Sequence, residues 1–250
     1  MRIRRIRGKT VTLERSAHDL VPIPRRPSNP SGNVMSAQSR APQSSPTRGK
    51  GRPRAFDRAQ ALHSALEVFW RRGYAPASVA ELCKAMRIKP PSLYATFGNK
   101  ATLFLEALRH YEHTYWDGPS RRFQEEPDVY VAVEHFFRDA ACILLSPHTP
   151  CGCMVVLAAV NIAEDETEII AAVRELRQAT ESLFADRLQR AVREGQLPPQ
   201  TPVEPLAGAL NTLLEGLSLQ ARDGLSLPEL SAIAALAVRL LPPPCPASNC

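Results

Sequence analysis

The stretch SVAELCKAMRIKPPSLYATFGNK, from Ser78 to Lys100, constrains this chain most, because it calls for two helices too short to stand alone. Val79, Leu82, Cys83 and Met86 fall at i, i+3, i+4 and i+7 and give the first helix one apolar stripe. Ser78, with Glu81 three residues on, predicts a reciprocal capping box at its start. Arg87, Ile88 and Lys89 make a turn, and Pro90 and Pro91 suit the opening of a second helix, where a missing N–H costs nothing. That second helix, Pro91 to Phe97, is below the length at which an isolated helix persists in water, so neighbours must hold it through Leu93 and Phe97. Lys89, Ser92, Tyr94 and Thr96 are then left facing outward. Gly98 suits a left-handed C-terminal cap and Asn99 the cap of the next helix.

The flanks supply the missing neighbours. A helix from about Asp57 to Arg72 carries Leu62, Ala65, Leu66, Phe69 and Trp70 on one face, and Gly73 ends it. Another runs from Asn99 to about Trp116 with Leu103, Phe104, Ala107 and Leu108 on one side, and Asp117-Gly118-Pro119 is expected to break it. Just before the first helix stand Arg48, Lys50, Arg52 and Arg54, spaced by small residues and proline. A basic arm in that position can contact phosphates or enter a narrow minor groove. The net charge of +6 permits a nucleic-acid partner without demanding one.

RIKPPSLYATFGNKATLF, together with GRPRAFD at Gly51–Asp57 and ALEVFWRRGYAPASV, resembles the recognition-helix region of TetR/AcrR-type repressors over roughly residues 51 to 110. The resemblance implies an all-α protein: a three-helix DNA-binding head on a larger helical domain for ligand binding and dimerisation. It implies a homodimer on double-stranded palindromic operator DNA and a small-molecule inducer, with no cofactor. It places Ser78, Tyr94 and Lys100 near phosphate, and Lys89, Ser92 and Thr96 near base edges or adjacent backbone. Pro90-Pro91 departs from the family's usual polar-plus-small pair, which leaves van der Waals contact with thymine methyls as the readout there.

The rest of the chain continues the helical period, with no alternating pattern that would make a sheet. Residues 127–145 carry Val133, Phe136, Phe137, Ala140, Ala141 and Leu144 on one face. Residues 146–150 are a loop, and 151–163, apolar nearly all round, read as a buried helix. A long helix over 166–195 ends at Leu197-Pro-Pro-Gln-Thr-Pro202. Two capping boxes, Thr201–Glu204 and Ser226–Glu229, announce the last two helices. Their stripes include Leu210, Leu214 and Leu217, then Ile233, Ala234 and Ala237. The resemblance implies that this pair packs against its symmetry mate; the alternative is that both stripes are core of a single chain. Trp116, Phe136, Phe137, Met154 and Phe184 are the expected ligand-pocket residues. The expected organisation is a disordered basic extension over 1–50, a head over 51–100, a helical domain over 101–242 and a disordered tail over 243–250.

Little in the chain suggests catalysis. His110 and His113 are three apart, but no further ligands stand at metal-binding spacing, so surface histidines are the simpler reading. There is no nucleophile–base arrangement, phosphate-cradling loop or dinucleotide fingerprint. Cys151-Gly-Cys153 opens three possibilities: packing at a helix start, a soft-metal site with Cys142, or thiols made reactive by a helix dipole, which would give an oxidant- or electrophile-sensing repressor. Six scattered cysteines, without a secretory segment or an apolar run long enough to span a membrane, point to reduced thiols in the cytoplasm.

Overall fold

The computed structural model describes residues 57–158, 160 and 162–244, which fall within one compact unit. The basic arm Arg48–Arg54, the expected disordered extension and most of the expected tail lie outside the described residues. Among those described there is no strand: the fold is all-α.

Helix α1 (Arg58–Arg72) is capped by Asp57, whose carboxylate accepts from the N–H groups of Ala59 and Gln60. Its inward face, Ala65, Leu66, Phe69 and Trp70, is essentially inaccessible to water. Helix α2 (Val79–Met86) starts at Ser78, whose hydroxyl accepts from Glu81 N–H at 3.1 Å. Only half of the expected box forms, because the Glu81 carboxylate turns away to Arg72 Nε, also at 3.1 Å. The turn to α3 (Pro90–Phe97) uses Arg87 in the left-handed region at φ 56°. Leu93 and Phe97 are buried beneath α3, as its shortness requires.

Helix α4 (Lys100–Tyr111) opens with a reciprocal box between Asn99 and Thr102. It does not break at Asp117-Gly118-Pro119. The chain widens into a π turn over Glu112–Trp116, with Asp117 N–H bonded to Glu112 C=O, and continues as α5 (Asp117–Glu125). Proline brings no N–H and crowds the carbonyl four residues back, and the opened turn accommodates both.

Helix α6 (Val129–Leu144) is capped by Asp128 and supplies the aromatic centre of the core. There the Phe136 and Phe184 rings lie 5.2 Å apart, with Phe123 and Phe137 around them. The expected buried helix over 151–163 is replaced by a single turn, α7 (Met154–Leu157). Gly152 at φ 83° breaks the run at its start, and Val160 beyond it is 63% exposed. Helix α8 (Thr167–Arg193) buries Arg187, whose guanidinium caps the end of α5 by donating to the carbonyls of Glu126 and Pro127.

Helix α9 (Val203–Arg222) begins after Pro202 without the expected Thr201 box, because the Thr201 hydroxyl donates to Pro198 C=O instead. At α10 (Leu227–Ala234) Glu229 does reach back, to both the N–H and the hydroxyl of Ser226. A 3₁₀ turn over Ala237–Leu240 follows. The stripes expected at a dimer interface need correction. Leu210, Leu217, Ala234 and Ala237 are at most 1% exposed, Leu214 is 8% exposed and Ile233 is half-buried, all within one chain. The reason is that these stripes close the chain's own core against α6 and α8. Among the residues that α9 and the last turns leave outside are the uncharged Thr212, Leu219, Ala235, Leu236 and Leu240, with Gly216 partly open between them.

Candidate nucleic-acid interface and ligand chamber

The outward side of α3 gathers most of the expected DNA contacts. Lys89, Pro90, Pro91 and Tyr94 are exposed, with Ser92 and Thr96 half-buried beside them. Tyr94 is 51% exposed, an unusual place for a large aromatic on a helix whose other large apolar side chains point inward. Ser78 is exposed at the start of α2. Arg58 steadies α3 from beneath: its guanidinium lies 4.8 Å from the Phe97 ring centre and pairs with Glu106 of α4 at 2.6 Å.

Lys100 is placed otherwise than its expected role suggests. Its ammonium folds back 4.5 Å above the Tyr74 ring and donates to Ala75 C=O at 3.1 Å. Burial lowers its pKa, partly offset by Glu166. The Tyr74 hydroxyl donates to that same Glu166 at 2.9 Å, and burial and the carboxylate together push the phenol up to about 12. Glu166 immediately precedes α8, so a side chain beside α3 is tied to the larger helical layer across 92 residues of sequence. Nothing in the local sequence signals this link.

A second tie runs through the CGC motif. Trp70 Nε1 donates to Gly152 C=O, and Tyr74 N–H donates to Ala158 C=O, both at 2.8 Å. Cys153 N–H donates to the buried Ser218 hydroxyl at 2.7 Å. A Cβ on Gly152 would fall 2.3 Å from Leu157 and 2.8 Å from Ser218 C=O, so glycine is required there by space as well as by φ. The segment Gly152–Ala158 is thus a strap between α1 and the helices behind it.

The cysteines around Gly152 differ from the sensing expectation. Cys153 is buried at the start of a one-turn helix, and burial pushes its thiol up to about 11, so it is not a thiolate at neutral pH. Cys151 is exposed and Cys153 is not, so they are presented to different surroundings. His110 meets His63 of α1 at 3.4 Å, and His113 is exposed. Among the described residues no group of three or more His, Cys, Asp or Glu is arranged to hold a metal ion.

Behind the strap lies a small, mostly apolar chamber of about 40 Å³, walled by Trp116, Phe136, Cys153, Leu183 and Leu214. It shares Arg177, Asn211 and Glu215 with an outer groove of about 330 Å³ between α8 and α9. Of the expected pocket residues, Trp116 and Phe136 line the chamber, whereas Phe137, Met154 and Phe184 are fully buried. Glu112, from the π turn, also faces the chamber. Burial, reinforced by Asp117, pushes its carboxyl up to about 7. Arg177 and Glu112 were not legible from sequence, where each reads as an ordinary solvated charge.

Residues 61–107 match the family described as "Bacterial regulatory proteins, tetR family", and residues 132–223 match "Tetracyclin repressor-like, C-terminal domain". The chain is 34% identical over 196 residues to the HTH-type transcriptional repressor ComR of Escherichia coli K12, covering 78% of this chain and 93% of that protein. It is 31% identical over 204 residues to the repressor BdcR of the same organism, covering 82% and 94%. Among solved structures, a cysteine mutant of the TetR family transcriptional regulator CifR, complexed with 26-base-pair operator DNA, is 40% identical with a TM-score of 0.74. That match covers 77% of this chain and all of the other.

Proposed function

Since the chain belongs to the TetR family of bacterial regulatory proteins, we propose that it is a homodimeric, sequence-specific transcriptional repressor whose grip on operator DNA is released by a small molecule. The observation that carries this is α3: a short helix anchored by two buried residues, with its polar and aromatic side set outward next to α2. Two such helices, one per protomer, would enter successive major grooves roughly 34–36 Å apart on a palindromic site.

Tyr94 and Ser78 hold phosphates in this reading. Lys89, Ser92 and Thr96 reach base edges or nearby backbone, and Pro90 and Pro91 contact thymine methyls. Lys100 contributes when it swings off Tyr74, and the basic arm from Arg48 to Arg54 adds contacts in the flanking groove. The dimer forms through the uncharged outer stripe of α9 and the last turns, from Thr212 through Gly216 and Leu219 to Ala235, Leu236 and Leu240. The protein works in the cytoplasm, where its operator is, and performs no catalytic step. Among the described residues no helix is long and apolar enough to cross a membrane.

A gel shift against the DNA upstream of the protein's own coding sequence tests this. A discrete complex, resistant to nonspecific competitor and centred on an inverted repeat, is expected. No complex, or one abolished by any competitor DNA, overturns the reading.

A further inference from the structure

Lys100 stands at the start of α4, beside α3, yet its cation is turned away from the face that α3 presents. The ammonium lies 4.5 Å over the Tyr74 ring and donates to Ala75 C=O at 3.1 Å. The residue is only half-buried, and a lysine with a path to water keeps its long stem mobile unless something outweighs the rotamer freedom lost. That something is at the far end of the ring. The Tyr74 hydroxyl donates to the Glu166 carboxylate at 2.9 Å. A phenol whose proton leans on a carboxylate offers a more electron-rich face to a cation. Burial lowers the Lys100 pKa and the same carboxylate offsets part of that, so the two charges feel each other across the ring.

Glu166 is committed to this ring and to nothing nearer. It occupies the N-cap position of α8, where a side-chain acceptor ordinarily takes up the first N–H groups of the helix, but its side chain accepts none of them. Ammonium, ring and carboxylate therefore form one chain of contacts, from the first residue of α4 to the residue before α8.

Resting on the repressor reading above, we infer that Glu166 is an intramolecular competitor of the operator: through Tyr74 it holds Lys100 off the DNA backbone, and specific binding has to undo that tie. A contact with the ring and a contact with a phosphate need the same ammonium, so they exclude each other. Glu166 touches no DNA; it is a positioning residue that sets how readily Lys100 does. By linkage, whatever steadies Glu166 against Tyr74 weakens the grip on the operator, and bound operator loosens the start of α8 by the same factor.

Operator affinity, read by fluorescence anisotropy, is compared for the full chain, Glu166→Gln, Tyr74→Phe, Lys100→Met and the Glu166→Gln/Lys100→Met double variant. Glu164→Gln and Glu168→Gln remove the same charge from exposed neighbours and control for the general attraction of a less acidic protein to DNA. Glu166→Gln should bind operator about fivefold more tightly than the native chain, the worth of one cation–π contact. That gain should vanish in the Lys100→Met background, and the two controls should change affinity by less than about twofold. Tyr74→Phe, which keeps the ring and removes the hydroxyl, should reproduce part of the gain. A reading without DNA runs beside these. In protein labelled with ¹³C at the lysine ε carbon, the Lys100 signal, assigned by its loss in Lys100→Met, should be shifted upfield by the ring beneath it. In Glu166→Gln it should return toward the other lysines.

No gain in Glu166→Gln, a gain that persists without Lys100, or an equal gain in Glu164→Gln overturns the competition. A Lys100 signal unmoved by Glu166→Gln overturns the tie itself. Absence of an operator complex in the native chain and in every variant is instead a failure of the repressor reading, and the lysine signal still decides whether Glu166 places Lys100.

Discussion

Tyr94 presents its hydroxyl to solvent while Leu93, its neighbour, is fully enclosed, so its substitution separates DNA contact from folding. Tyr94→Phe should weaken operator binding by about 1 kcal/mol, roughly fivefold, with the melting temperature unchanged. Lys100→Met should do the same and also lower the salt slope of binding by about one ion, as titrations across salt concentrations would read. An unchanged slope would mean that Lys100 stays over Tyr74 when DNA is bound. Glu112 has a pH signature of its own. Its carboxyl titrates near 7 in the folded chain against 4.5 for an exposed glutamate. The folded state therefore keeps a proton that the unfolded state gives up between those values. The resulting stability is complete below about 4.5 and is withdrawn as pH rises through 7. Glu112→Gln should remove this dependence: urea unfolding at pH 5 and pH 8 should show the native chain losing about 2 to 3 kcal/mol relative to the variant.

At the scale of elements, Gly152 sets the sharpest test. Gly152→Ala places a methyl against Leu157 and Ser218 at a left-handed φ, and should cost about 2 to 4 kcal/mol in chemical unfolding. In whatever fraction folds, it should also weaken operator binding, because Trp70 and Tyr74 hang on the same strap. The helices of the head were legible in the sequence because their signals are local: stripes at helical spacing, Ser78 and Asn99 as caps, Gly73 and Gly98 as stops. The strap was not. An apolar run such as CMVVLAAV reads alike as buried helix or buried connection, and periodicity does not separate them. What decides is a pair of hydrogen bonds to α1 and the turn after it, from Trp70 and Tyr74, 82 and 84 residues away in sequence. Capping boxes were half legible for a related reason. Asn99 and Ser226 keep their local partners, but Glu81 is taken by Arg72 and Thr201 by Pro198, competitors that a four-residue window omits. Arg177 and Glu112 carry no local mark at all; only the fold turns two ordinary surface residue types toward one chamber.

For the whole molecule, burial redirects the test of assembly. Leu214→Arg would drive a charge into the chain's own core and unfold it, so a monomer seen there would say nothing about an interface. Gly216, whose Cβ would meet nothing within 4 Å, can carry a long side chain without internal conflict. Gly216→Arg should leave thermal stability of the protomer within about 1 kcal/mol while sedimentation velocity shows monomers. Those monomers should lose the tight half-site-spaced complex on DNA. A dimeric Gly216→Arg would place the interface elsewhere. The π turn between α4 and α5 bears on the molecule in a different way. One residue more than an α-helical turn is one residue of rotation, about 100°. Everything from Asp117 to Glu125 is therefore clocked round relative to α4, and the wide turn is what points Trp116 and Glu112 together at the chamber. Shorten this segment by a single residue and the rod would close towards uninterrupted α-helix, with the proline then set against the carbonyl four residues back. The downstream face would then turn by a quarter of a circle, and the wall of the chamber would be built from other side chains. Among chains of this architecture, length at this one turn is thus a coarse dial on what the interior can accept, set by counting residues instead of exchanging them.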